Sequence, residues 1–165
     1  GKERIELYLD MDKPLSVDEL AGYRVLLKRR SHREPVAYIL GRKEFFSHTF
    51  LVNRDVLIPR SETEILVEKA SELAPQGSTV FEMGAGSGAV IISILLSRPD
   101  LEGLGNDVSK RALDVARENA RRAALGLEPI ASLEDLDTSV DVPGEILLGQ
   151  AARLVVEMAL LDEKP

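Results

Sequence analysis

The chain has 165 residues, 44% hydrophobic and 30% charged, enough for one globular domain or a domain with a small appendage. It has no cysteine, which excludes disulfides, thiolate nucleophiles and cysteine-built zinc sites, and its two histidines, His32 and His48, are too few for a histidine-rich metal centre, so no metal is expected. A formal charge of −7 disfavours indiscriminate binding to nucleic acid, and no apolar run reaches the roughly 20 residues of a membrane span.

In chain order, residues 3–30 read as helical. The opening, "GKERIELYLD", lacks the apolar core of a signal peptide, so a cytoplasmic location is expected. Ser16 with Glu19 makes a capping box, and Leu20, Tyr23, Leu26 and Leu27 fall on one helical face. The basic run "KRRSHR" at 28–33 reads as a solvated helix end. β-Branched and aromatic residues punctuated by Gly41 and Asn53 predict a strand pair near 43–58, closed by Pro59. "SETE" at 61–64 predicts a second capping box, Ser61 with Glu64, opening an amphipathic helix. "STVFEM" at 78–83 predicts a buried strand, "AVIISILLS" a buried helix ended by Pro99, and "LEGLGND" at 101–107 a second strand. Ser109 then caps a helix whose inner stripe is Leu113, Ala116 and Ala120. Residues 127–145 read as an acidic loop in which Glu134, Asp135, Asp137, Asp141 and Glu145 are solvated. The final "ILLGQAARLVVEMALLDEKP" reads as helix, with "RLVVEM" as an alternative late strand. Strand, glycine turn, helix, strand, helix is the opening of a doubly wound parallel α/β sheet.

The glycine turn carries the chemistry. In "VFEMGAGSGAV" at 80–90, Gly84, Gly86 and Gly88 let the backbone turn sharply and approach a ligand at a helix N-terminus. Gly84, Gly86 and Ala89 also satisfy the dinucleotide pattern, so spacing alone leaves a dinucleotide, S-adenosylmethionine and a bare packing turn open. Glu82 argues by charge. A carboxylate at the ligand end of the strand repels a pyrophosphate but suits a donor carrying an ammonium and a sulfonium. Asp107, about twenty residues beyond the loop, is placed to accept hydrogen bonds from ribose hydroxyls of either ligand.

Three motifs in order, "REPVAYILGRKEFF" at 33–46, "VLIPRSETEILVE" at 56–68, and "FEMGAGSGAVIISILLSRPD" followed by "GNDVSKRALDVARENARR", make the chain resemble the protein-glutamine N5-methyltransferases of the HemK/PrmC type. These methylate a glutamine of peptide-chain release factors. The resemblance implies a Rossmann-like S-adenosylmethionine-dependent methyltransferase fold over 60–165, a β-hairpin at 42–59 and a partial helical N-terminal domain at 1–41. It implies S-adenosyl-L-methionine as cofactor, held by Glu82, Gly84, Ala85, Gly86, Ser87, Gly88 and Asp107, with Arg60, Glu62 and Thr63 near the pocket. A release factor is the implied partner, with no direct contact to nucleic acid or membrane. Two departures stand out: Ser61 occupies a usual proline position, and the family's Asn-Pro-Pro-Tyr is absent, since no Pro-Pro occurs in the chain. That motif accepts the amide hydrogens of the glutamine and aligns its weakly nucleophilic nitrogen with the sulfonium methyl. No catalytic residue is therefore assigned, and a non-catalytic donor-binding or interaction module stands as the alternative.

Overall fold

The computed structural model of the chain describes residues 4–9, 11–126, 145–148 and 152–158. It divides into two units, Gly1–Ile39 and Leu40–Pro165.

Residues 3–30, expected to be helical with Ser16 as a cap, form α1 (Arg4–Leu9) and α2 (Val17–Ser31), followed by α3 (Val36–Leu40). Pro14 disfavours helical backbone at the residue before it, and Ser16 adopts an extended conformation as N-cap of α2. The capping box is formed: the Glu19 amide donates to Ser16 Oγ at 3.2 Å, and the Ser16 amide to Glu19 Oε2 at 2.9 Å. The stripe of Tyr23, Leu26 and Leu27 is exposed, and α2 has no buried residue. Within the basic run, Arg29 departs from the expected solvated end. Its guanidinium donates to both Glu34 carboxylate oxygens at 2.8 Å and to the Tyr38 carbonyl, tying the end of α2 to α3.

The second unit opens with an antiparallel hairpin, β1 (Arg42–Phe45) and β2 (His48–Leu51), in register Phe45↔His48. It is shorter than the expected 43–58, because Asn53 Oδ1 accepts the Asp55 amide at 2.9 Å in a side-chain turn just after β2. Both turn residues, Phe46 and Ser47, lie at positive φ, 49° and 60°, as a two-residue hairpin turn demands. Glycine or asparagine usually fills such positions. Here the turn is held from outside, the Phe46 amide donating to Glu64 Oε1 at 3.0 Å. That bond explains why the expected Ser61–Glu64 capping box does not form. A 3-10 turn (Ser61–Thr63) leads into α4 (Glu64–Leu73) with no side-chain cap, the Glu64 carboxylate being turned towards the hairpin.

Beyond α4 come β3 (Thr79–Met83), α5 (Ala89–Ser97), β4 (Glu102–Asp107), α6 (Lys110–Leu125), β5 (Glu145–Leu148) and β6 (Ala152–Met158). The sheet order is β3-β4-β6-β5, with β3, β4 and β6 parallel and β5 antiparallel to β6. The reading of the final stretch as helix is thus corrected over residues 146–148 and 152–158; the rest of it lies outside the described residues. "ARLVVEM" pairs along the whole of β4, from Glu102↔Arg153 to Asp107↔Met158, and its Leu-Val-Val run suits a strand with neighbours on both sides. Glu145, expected in an acidic loop, opens β5, while Glu134, Asp135, Asp137 and Asp141 lie outside the described residues.

Successive right-handed crossovers moving one way across a sheet put their helices on one face. On that face α5 presses against β4 at Gly103, where a Cβ would stand 2.6 Å from Leu95 Cδ1. Helix α5 is buried as expected, with Ile91, Ile92 and Leu95 at its centre, and so is the Leu113, Ala116 and Ala120 stripe of α6. Strand β3 departs from expectation. It alternates between partly covered Val80 and Glu82 and exposed Phe81 (51%) and Met83 (80%), which point to the other face.

Candidate functional site

The glycine turn joins the carboxyl end of β3 to the amino end of α5, and its backbone is fixed almost atom by atom. The amides of Gly84 and Ala85 both donate to the Asn106 carbonyl, at 3.0 and 2.8 Å, anchoring the turn to the next strand. The Gly86 amide donates to Asp107 Oδ2 at 2.9 Å, and the Gly88 amide to the Ala85 carbonyl at 2.7 Å. Gly84, Gly86 and Gly88 all have positive φ, 75°, 55° and 75°. They differ in surroundings. A Cβ on Gly84 or Gly86 would meet nothing within 4 Å, so the outer side of the turn is open to a ligand. A Cβ on Gly88 would stand 2.9 Å from Ile92 Cδ1 and 3.3 Å from Ala116 Cβ, so Gly88 serves helix packing. Ala85 and Ser87 are buried beneath the turn.

The two acids singled out from sequence sit at this turn. Glu82, on β3, accepts the Ile91 amide on Oε2 at 3.1 Å and so caps the first turn of α5. Burial pushes its carboxyl up to about 7, the Ile91 hydrogen bond pulls the other way, and the neighbouring Asp107 charge raises it further. Asp107 ends β4 and accepts the Gly86 amide on one oxygen and the Ser109 amide on the other, at 2.9 Å each. A carboxylate has about four lone-pair sites, so each oxygen retains one for an outside donor. An ionised Asp107 and a Glu82 that a bound cation would ionise, beside an open glycine turn, make a place for a cation and a diol, and a poor place for a pyrophosphate.

Arg60, Glu62 and Thr63 lie in and before the 3-10 turn, with Arg60 and Glu62 exposed and Thr63 half-buried. Among the described residues no hydrogen bond or ion pair links these three to the glycine turn or to Asp107. No group of three His, Asp or Glu side chains among the described residues is arranged to hold a metal ion.

Sequence reasoning missed Asn119. Buried on α6, its Oδ1 accepts the Leu51 amide at 2.7 Å, and its Nδ2 donates to the carbonyls of Leu51 at 3.1 Å and Ser87 at 2.9 Å. A signal was present: Asn119 interrupts the apolar stripe between Ala116 and Ala120, and a polar group buried there requires partners.

Comparison with known proteins gives this geometry its context. Residues 1–41 match the family model of the PrmC N-terminal domain. The chain is 42% identical over 122 residues to a release factor glutamine methyltransferase of Geobacter sulfurreducens, covering 74% of this chain and 43% of that protein. A protein of the same description from Neisseria gonorrhoeae is 50% identical over 95 residues, 58% of this chain and 35% of that one. Another from Enterococcus faecalis is 34% identical over 152 residues, 87% and 54%. The chain spans about half the length of the curated relatives it matches. The resemblance carried by the three sequence motifs is therefore a resemblance to release factor glutamine methyltransferases.

Proposed function

We propose that the chain acts in S-adenosylmethionine-dependent N5-methylation of a glutamine side chain in peptide-chain release factors, and that the second unit carries a Rossmann-like methyltransferase domain after its hairpin. The proposed division is 1–41 helical, 42–59 hairpin and 60–165 methyltransferase domain. The observation that carries the reading is the convergence of Glu82 and Asp107 on one open glycine turn, in a chain similar to release factor glutamine methyltransferases. The order β6-β4-β3 matches one half of a doubly wound sheet, and the turn lies at the carboxyl ends of its strands, where such sheets bind ligands.

In this reading Gly84 and Gly86 admit the donor close to the backbone, since nothing occupies the space a Cβ would take. Glu82 faces the cationic methionine end, and its ionised form is favoured by a neighbouring positive charge. Asp107 accepts the ribose hydroxyls while its two amide bonds hold the carboxylate in place. Ala85, Ser87 and Gly88 support the turn from beneath, and Arg60, Glu62 and Thr63 border the pocket. When bound, S-adenosylmethionine supplies an electrophilic methyl for in-line attack by the amide nitrogen. A release factor as substrate fits a cytoplasmic protein, and among the described residues no helix is long and apolar enough to cross a membrane. Incubation of the chain with release factor and methyl-labelled donor tests the proposal. Label on a glutamine side-chain nitrogen supports it; donor binding without transfer points to a non-catalytic module.

A further inference from the structure

We propose that Asn119 is a positioning residue that locks the hairpin and the glycine turn into one register, so that the donor site is built on both; the donor-binding part of this rests on the function proposed above. Three hydrogen bonds carry the inference. Asn119 exchanges a pair with the Leu51 backbone, accepting its amide at 2.7 Å and donating to its carbonyl at 3.1 Å, as a neighbouring strand would. Its second amide hydrogen goes to the Ser87 carbonyl at 2.9 Å.

The geometry makes this more than a satisfied core polar group. Leu51 is the last residue of β2, and the next amide, Val52, closes the hairpin by donating to Gly41 at 3.0 Å. Ser87 lies between Gly86 and Gly88, two of the three positive-φ glycines of the turn. The peptide joining Ser87 to Gly88 is held at both ends, its carbonyl by Asn119 and its amide by Ala85. One residue earlier in the same turn stands the Gly86 amide that Asp107 accepts. One side chain thus sets the turn, the acid behind it and the end of the hairpin together. The opposite end of the hairpin is pinned separately by Glu64 at Phe46, so losing Asn119 releases the Leu51 end alone. No other side chain type of this length offers one acceptor and two donors in a plane. Aspartate loses both donors, and leucine loses everything.

Two measurements on the full chain test this, with Leu101→Ala as control. Leu101 is fully buried at the amino end of β4, away from the turn, so its truncation lowers stability without touching either partner of Asn119. In the ligand-free chain, amide exchange is read at Gly88 and Val52, neither of which bonds to Asn119. Asn119→Ala, and Asn119→Asp should the first not fold, are expected to speed both amides together by about tenfold or more beyond the control. Calorimetry with S-adenosylhomocysteine should show a matching loss of affinity of about tenfold in the same variants and none in the control. Acceleration at Leu51 alone, or affinity falling only as far as in Leu101→Ala, overturns the proposal. If the native chain binds no S-adenosylhomocysteine, the donor reading falls, while the exchange measurement still decides whether Asn119 couples turn and hairpin.

Discussion

Glu82→Gln separates what the acid does for the fold from what it does for a ligand. Burial holds the Glu82 carboxyl at about 7, against a model-compound value of 4.5. The sign follows from proton linkage: between those values the folded chain keeps a proton that the unfolded chain has released, so stability falls as pH rises. Below 4.5 both states are protonated and the group is neutral in its effect; above about 7 both are ionised and the loss levels off. At about 1.4 kcal/mol per pH unit, the full loss amounts to about 3 kcal/mol. Glutamine is neutral throughout and keeps an oxygen for the Ile91 amide. Urea denaturation at pH 5, 6, 7 and 8 should therefore find Glu82→Gln close to the native chain at pH 5 and about 2–3 kcal/mol more stable at pH 8. A cationic ligand reverses the preference, because it favours ionised Glu82. Its affinity for the native chain should rise between pH 5 and 7 and flatten above, with protons released on binding, whereas Glu82→Gln should lose that slope. Equal pH dependence of stability in the two proteins would refute the argument that Glu82 is held neutral by burial.

Gly88→Ala should destabilise by about 1–3 kcal/mol in denaturant titration, since its Cβ would meet Ile92 and Ala116 on a backbone at φ 75°. Asp107→Ala should weaken S-adenosylhomocysteine binding by about 1–3 kcal/mol in calorimetry, and Asp107→Asn by less if its remaining oxygen still serves the turn; unchanged affinity would make Asp107 a purely structural acid. Glu64→Ala should lower thermal stability by about 1–2 kcal/mol, because it frees a hairpin turn whose Phe46 and Ser47 both sit at positive φ; an unchanged midpoint would show that the turn holds itself.

The parts of this molecule legible in its sequence are those written in neighbouring residues. The Ser16–Glu19 capping box, the Ser109 cap, the largely apolar α5 and the strand–glycine–helix unit each depend on contacts within one or two turns of chain. Glu64 failed that test instructively. The local pattern pairs it with Ser61, but a hairpin turn eighteen residues earlier offers an amide that costs more to leave unpaired. Asn119 is a longer case, reaching a strand sixty-eight residues away. At the end of the described chain, "RLVVEM" is too short for periodicity to separate strand from helix, and pairing with β4 settles it. The glycine turn itself was readable, but the distinction between Gly88, which packs, and Gly84 and Gly86, which face open space, needed the fold.

The most direct test of the central claim is calorimetry on the full chain with S-adenosylhomocysteine and NAD side by side. The arrangement of Glu82 and Asp107 around an open turn predicts saturable binding of S-adenosylhomocysteine, weakened by Asp107→Ala, and no measurable binding of NAD. A preference for NAD, or S-adenosylhomocysteine binding indifferent to Asp107→Ala, would contradict it.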